Sequence, residues 1–429
     1  MGGRIGGVVH ASLQHADSGA FDVGGRDVAR FQPSDPAALR HLNREGYVVI
    51  ENMDVAEVER ARELLWSFLE ATGAGISRTQ PDTWIRSRPN PYGIVWHHGV
   101  GHSRLAWFIR TRPNLLEMFE RVWNTSELIS SFEGFSWLPP KEYEHAWQIV
   151  DSWFHTDQNG VSRPGRQTVQ SFTSLYDQDE STGAFVIAPR SHTQHARVTE
   201  RVYRARPQTP PDQQFLMLPS NDPILHNASK RRPHLVRVRA GDSVLWDSRA
   251  VHCSTPSLHR AAPSATPFAS IPLKPASSGP RPARVVVYAS LSPRSRADEG
   301  VLLARQRALC ERRTCTHWPF DMACLDAPRS VGEEPSDPIV HVPSRVKQLV
   351  GYTDAQIRRW LVADASIRAQ QRSDGRAFNC PPAGDGGAVA DAVSLFASPR
   401  AVSLSDGEGN GAVGSKCPRR RRRGRRRIV

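Results

Sequence analysis

Long apolar runs are missing from this chain of 429 residues, in which hydrophobic residues make up 39%. No stretch approaches the roughly 20 consecutive apolar residues that a membrane-spanning helix needs. The opening Met1-Gly2-Gly3-Arg4-Ile5-Gly6-Gly7 lacks the hydrophobic core of a signal peptide, and Gly6 stands where a myristoylation signal requires Ser or Thr. Cysteine is also scarce. The six residues Cys253, Cys310, Cys315, Cys324, Cys380 and Cys417 are scattered, which excludes a disulfide scaffold and suits thiols of a reducing compartment. Cys310, Cys315, His317 and Cys324 fall close together, but their spacing matches no common zinc knuckle or finger. These absences lead us to expect a soluble, intracellular protein, cytoplasmic or nuclear, without a membrane span. A general excess of basic charge is missing too. Of the formal net charge of +13, nine positive charges belong to Lys416, Arg419–Arg423 and Arg425–Arg427. The basicity is a tail over 416–427, suited to nucleic acid or an import receptor, and does not mark a binding face of the core.

What is present is a set of candidate metal ligands. His155 and Asp157 stand in Trp153-Phe154-His155-Thr156-Asp157, and His252 follows about a hundred residues later in Arg249-Ala250-Val251-His252-Cys253-Ser254. On extended backbone, side chains alternate faces, so positions 155 and 157 point the same way while Thr156 points opposite. Two imidazoles and one carboxylate are the donor set of the 2-His-1-carboxylate facial triad, which holds Fe(II) on one face and leaves the other open. By itself an H-x-D tripeptide is weak evidence, and hydrogen-bonded core histidines with a turn aspartate would be the preferred reading. Extended backbone at 252–254 turns Cys253 away from the metal.

The flanking motifs decide between these readings. Thr182-Gly183-Ala184-Phe185-Val186-Ile187-Ala188-Pro189-Arg190-Ser191-His192 lies between the two halves of the triad, and Ala240-Gly241-Asp242-Ser243-Val244-Leu245-Trp246 precedes His252. With H-x-D and H-x-S, this ordered set resembles the phytanoyl-CoA dioxygenase family of Fe(II)/2-oxoglutarate oxygenases over roughly residues 131–292, and more weakly around 93–102. Arg190 stands where the family usually carries Gly, a departure at a turn position of positive φ.

The resemblance implies a mononuclear non-haem enzyme with Fe(II), 2-oxoglutarate as co-substrate and O₂, acting on a small-molecule substrate. His155, Asp157 and His252 would be the catalytic metal ligands. The far carboxylate of 2-oxoglutarate then needs a cation, and Arg suits it because its fork pairs bidentately and stays charged when buried. In the family that Arg opens the strand after the distal His. Arg260 is nearer, but Pro263, Pro267, Pro272 and Pro275 follow it, so no strand starts there. Arg284 leads directly into Val285-Val286-Val287-Tyr288-Ala289-Ser290-Leu291 and is assigned the anchor, ahead of Arg281 and Arg260, with Ser254 as its hydroxyl partner.

The chain organisation agrees with this assignment. Residues 1–38 form a Gly-, Ser- and Asp-rich lead, and 39–127 a mixed helix and strand region: a short helix closed by Gly46, a strand at 47–50, an amphipathic helix at 55–72, and a helix at 105–122 broken near Pro113. Strands are expected at 128–132, 147–150, 168–176, 184–187, 234–239, 243–247 and 284–291. The core is thus mainly β with flanking helices: a double-stranded β-helix (jelly-roll, cupin-like barrel) over 128–292, interrupted by a Pro/Ser-rich insertion at 257–282. A helical extension follows over 293–371, including a capping box at Thr353–Gln356, and a tail expected to be disordered spans 372–429 and ends in the polybasic run.

Weaker candidates are Gln158 and Gln170 for the co-substrate pocket, and Trp96, His98, His102 and Arg110 for substrate. Two other classes remain open at this point: an oxygenase acting on or bound to nucleic acid through its tail, and a catalytically silent jelly-roll interaction protein.

Overall fold

A computed structural model describes residues 25–140, 143, 147, 153–226, 232–258, 280–325 and 343–358. Arg260, most of the 257–282 insertion, residues 148–150 of one expected strand and the 372–429 tail with its basic run lie outside the described residues.

Helix α1 (Pro36–Glu45) begins at the Asp35 cap, with Pro at its first turn, and ends on Gly46 at φ 86°. That left-handed stop costs a residue without Cβ little. The chain then turns into β3 (Tyr47–Glu51). Helix α2 (Val55–Glu70) starts with a full capping box between Asp54 and Glu57. The expected helix around 105–122 is two helices, α3 (Arg104–Arg110) and α4 (Pro113–Trp123), because Pro113 cannot donate into the preceding turn but suits a helix's first position.

The strands form two sheets. The larger runs β2 (Arg30–Phe31), β3, β12 (Asp242–Asp247), β8 (Val169–Ser174), β14 (Arg284–Pro293), β6 (Phe135–Leu138) and β4 (Ile94–Val95), with β5 (Leu128–Ser130) also on β14. The smaller runs β1 (Gly25–Arg26), β11 (His234–Val236), β9 (Phe185–Ile187), β13 (His252–Ser254), β7 (His155–Thr156) and β10 (Leu216–Met217). Strands before residue 128 are therefore members of the sheets as well as packing on them. Pairing is antiparallel throughout the centre of both sheets. Two such sheets with flanking helices are the jelly-roll, cupin-like arrangement.

Side-chain alternation shows why the sheets stack as they do. In β3, Tyr47 and Val49 join Phe172, Phe185, Ile187, Val244, Trp246 and Val286 in the apolar layer between the sheets. Val48 and Ile50 point the other way, into a cluster with Leu42, Leu65, Phe68 and Phe119 of the helices. A third cluster, with Val198 and Val202 of helix α5 (His195–Ala205), covers the back of the smaller sheet and includes Cys253. A fully buried aliphatic or aromatic side chain contributes about 1.5–3 kcal/mol, so this three-layer pattern holds the site's strands in register.

A short helix α6 (Pro223–His226) follows β10, and the C-terminal side has α7 (Glu299–Cys310), capped by Asp298, and α8 (Ser344–Val350). The Thr353–Gln356 capping box is formed in both directions, at 2.8 Å and 3.2 Å.

Candidate active site

The two histidines of the sequence motif face each other across neighbouring strands. His252 of β13 is the direct register partner of His155 of β7, with ring centroids 4.4 Å apart. Asp157 lies two residues beyond His155, its backbone N–H donating to the Ser248 carbonyl at 3.0 Å. Its carboxylate stands between the imidazoles: Oδ1 is 3.2 Å from His155 Nε2, and Oδ2 is 3.1 Å from His252 Nε2. One donor atom from each of the three residues falls within 4.8 Å of the others.

Second contacts fix the ring orientations. His155 Nδ1 is 3.1 Å from the Trp153 carbonyl, and His252 Nδ1 is 2.9 Å from the Ala250 carbonyl. A carbonyl only accepts, so each Nδ1 carries the proton and each Nε2 presents its lone pair inward. Trp153 stacks on His155 at 4.4 Å and 12°. Gln170 donates from Nε2 to Asp157 Oδ2 at 2.6 Å and to Ser248 Oγ at 3.1 Å. Burial, together with the neighbouring His252, lowers the His155 pKa against the pull of Asp157. Burial opposes ionisation of Asp157, but the two imidazoles outweigh it and hold its carboxyl well below the usual range. An ionised carboxylate beside two inward-facing Nε2 atoms is the donor set a divalent ion requires.

The loop that aims His252 is tied down by Asp247, at the end of β12 and fully buried. Its carboxylate accepts from Arg249 at 2.9 and 2.8 Å and from Arg166 at 2.7 Å. Across the sheet, Gly183 at φ 70° approaches the chain just after β13. A Cβ there would meet the Thr255 carbonyl at 2.4 Å.

These donors open into a cavity of about 450 Å³. Arg284, the first residue of β14, lies on its wall with Val286 and Tyr288, the same face of one strand. Arg284 is 2% exposed and donates from Nη1 to the Thr255 carbonyl at 3.2 Å. Ser254 is half-buried on the same wall, whereas Arg281 is exposed and not on it. Trp96 and Gln170 also line the cavity. The mouth is apolar, with Phe215 and Leu325 each 46% exposed.

Other weak candidates have structural work. Gln158 is fully buried and braces the following loop, donating to the carbonyls of Arg163 and Gly165 and accepting from the Gln167 N–H. His102 is buried against Phe132 and the Arg313 carbonyl, and Arg110 donates to the carbonyls of Gly101 and Glu133. His98 is absent from the cavity wall. Among the described residues the Cys310, Cys315, His317 and Cys324 set forms no metal-binding group. Cys315 and His317 instead line the active-site cavity.

Residues the sequence reading did not single out include Trp153, Phe215, Glu133 and Tyr288, and His317 is weighed there only for a zinc site. Trp153 and Tyr288 carry the period-two signal from His155 and Arg284. Glu133 and His317 sit in connections, where no periodicity points at them.

The phytanoyl-CoA dioxygenase (PhyH) family profile matches residues 42–261. The Ava biosynthesis cluster protein O of Aspergillus versicolor is 25% identical over 227 residues, which is 50% of this chain and 70% of that protein. Similar solved structures include the non-heme alpha ketoglutarate dependent carbocyclase SnoK from nogalamycin biosynthesis, 16% identical over 62% of this chain and 86% of that one, with a TM-score of 0.37. EctD from S. alaskensis with bound Fe is 13% identical over 65% of this chain and 83% of that one, with a TM-score of 0.40. HygX from Streptomyces hygroscopicus, with nickel and 2-oxoglutarate bound, is 15% identical over 60% of this chain and 87% of that one, with a TM-score of 0.35. With its family profile covering half the sequence and a His-Asp-His donor set that fits Fe(II), the chain belongs to the phytanoyl-CoA dioxygenase family and is an Fe(II)- and 2-oxoglutarate-dependent oxygenase.

Proposed function

We propose that His155, Asp157 and His252 hold the Fe(II), that Arg284 and Ser254 take the far carboxylate of 2-oxoglutarate, and that the enzyme hydroxylates a small organic metabolite or acyl-type substrate. The observation that carries this reading is the convergence of three metal-donor atoms and one buried guanidinium on a single apolar cavity. Bound Fe(II) and 2-oxoglutarate supply O₂ activation coupled to release of succinate and CO₂.

The chain's own residues prepare that chemistry. The Trp153 and Ala250 carbonyls hold the imidazoles in the ligating tautomer, and Gln170 keeps the Asp157 carboxylate in place. Arg284 offers a planar, permanently charged fork in a site shielded from water, where a carboxylate gains most from it. Ile94, Trp96, Trp153, Phe215 and Leu325 exclude water and give an apolar substrate its contact area. The name of the similar fungal protein refers to a biosynthesis cluster, in keeping with a metabolite as substrate. The basic run at 416–427 suits a polyanion or an import receptor, separate from this chemistry.

Anaerobic reconstitution with Fe(II) and 2-oxoglutarate, followed by a metabolite screen in air, tests the reading. A substrate should raise succinate release above the uncoupled rate and gain one oxygen atom. Stimulated turnover that leaves every C–H bond of the substrate intact would contradict hydroxylation.

A further inference from the structure

Among the described residues, one carboxyl besides Asp157 lies on the cavity wall, that of Glu133 in the connection between β5 and β6. Its two oxygens are treated differently. Oε2 accepts from the hydroxyls of Ser131 at 2.6 Å and Ser290 at 3.0 Å. These bonds fix the carboxyl plane, while no hydrogen bond within the described residues engages Oε1. Arg110 is a neighbouring cation, but its Nη1 and Nη2 are spent on the carbonyls of Gly101 and Glu133 itself, each at 2.5 Å. Ile94, Trp96 and Gly134 are neighbouring parts of the same wall.

Glu133 is partly buried and lines the cavity, so a ligand that displaces water from Oε1 must replace the lost hydrogen bond with a donor of its own. Burial already shifts the carboxyl, to a pKa of about 7, against the pull of Ser131, Ser290 and Arg110. Charge balance points the same way. Fe(II), Asp157, doubly ionised 2-oxoglutarate and Arg284 together sum to zero, leaving Arg110, behind the cavity wall with both terminal nitrogens on carbonyls, as the cation beside a Glu133 carboxylate.

We propose that Glu133 is the polar specificity determinant of the substrate pocket: its Oε1 accepts a hydrogen bond from a donor group, a protonated amine or a hydroxyl, carried by an otherwise apolar substrate. The proposal rests on the reading of this cavity as the Fe(II)/2-oxoglutarate site. It narrows the substrate from any small metabolite to one with a donor set on an apolar frame. Glu133 binds substrate in this account and does not ligate the metal.

The test uses the full-length protein loaded anaerobically with Fe(II) and 2-oxoglutarate, and three probes of matched shape: 2-naphthylmethylamine, 2-naphthalenemethanol and 2-methylnaphthalene. Calorimetry should find the amine or the alcohol bound about tenfold more tightly than the hydrocarbon, as a charge-assisted hydrogen bond in a shielded site allows. If the natural donor is an amine, its advantage disappears in Glu133→Gln, which keeps the shape and removes the charge. If it is a hydroxyl, the advantage survives in Glu133→Gln and disappears in Glu133→Leu. Equal binding of all three probes, or an advantage that persists in Glu133→Leu, overturns the proposal. The charge-transfer band of chelated 2-oxoglutarate is read in every sample. A wild-type protein without that band refutes the metal reading and this proposal with it; an intact band without discrimination among probes refutes the role of Glu133 alone.

Discussion

Replacing Arg284 by Ala tests the co-substrate anchor. Arg284 is 2% exposed at the start of β14, and one of its nitrogens is held by the Thr255 carbonyl at 3.2 Å. The guanidinium is therefore positioned before any ligand arrives, and little side-chain entropy remains to be lost on binding. Truncation would leave the far carboxylate of 2-oxoglutarate desolvated without its partner. Removing one member of a buried charge pair costs about 2–4 kcal/mol, which corresponds to a loss of about 30- to 1000-fold in 2-oxoglutarate affinity. Arg284→Lys should recover part of this, because the charge returns while the planar fork does not. Arg281→Ala, at an exposed position off the cavity wall, should change affinity by less than about twofold. The assay is an anaerobic titration of the Fe(II) protein with 2-oxoglutarate, followed by its charge-transfer band, which needs no knowledge of the substrate. Affinity of Arg284→Ala within about twofold of the parent, or a larger loss from Arg281→Ala, would refute the assignment.

Three further outcomes are expected. Gln170→Ala removes the 2.6 Å bond to Asp157 and should weaken Fe(II) binding about tenfold while leaving the fold intact; unchanged affinity by competition with a chelator would count against its supporting role. Arg190 sits at φ 63° and compensates with a two-point ion pair to Glu45; Arg190→Gly should melt near the parent temperature and Arg190→Ala clearly below it, since Ala keeps the strain and loses the pair. Asp247, held to a pKa of about 2 by Arg249 and Arg166 against burial, has a depressed folded-state value. Its contribution is therefore present above pH ~4 and lost as pH falls through about 2. Asp247→Asn should shrink the pH-dependent loss of stability across that window by on the order of 2 kcal/mol in urea unfolding, and an unchanged pH profile would show that Asp247 is not so paired.

Much of this site is legible in the sequence because extended backbone imposes a period of two. His155 and Asp157 share a face, Thr156 and Cys253 do not, and Arg284 announces itself by opening a run of buried strand residues. Helix ends are equally readable where the chemistry is local: Gly46 closes α1, Pro113 divides α3 from α4, and Asp298 caps α7. Other elements carry no such signal. Strand β6 is buried on every side chain, so Phe135-Ser136-Trp137-Leu138 shows no apolar and polar alternation. Helix α5 starts at His195 without a side-chain cap, and its place is set by packing on the smaller sheet. Gln158 follows the metal ligands in sequence yet braces a loop, because the chain turns immediately after Asp157. Glu133 and His317 reach the cavity through connections whose path depends on the finished fold, which local patterning does not encode.

The central claim is that His155, Asp157 and His252 form one metal site that chelates 2-oxoglutarate on iron. Anaerobic titration of the purified protein with Fe(II) in the presence of 2-oxoglutarate, comparing the parent with Asp157→Ala, tests it most directly. The account predicts a charge-transfer band that saturates at one iron per chain in the parent and is lost or greatly weakened at the same iron concentration in the variant, with circular dichroism of the two unchanged. A band of equal intensity and midpoint in Asp157→Ala would contradict it.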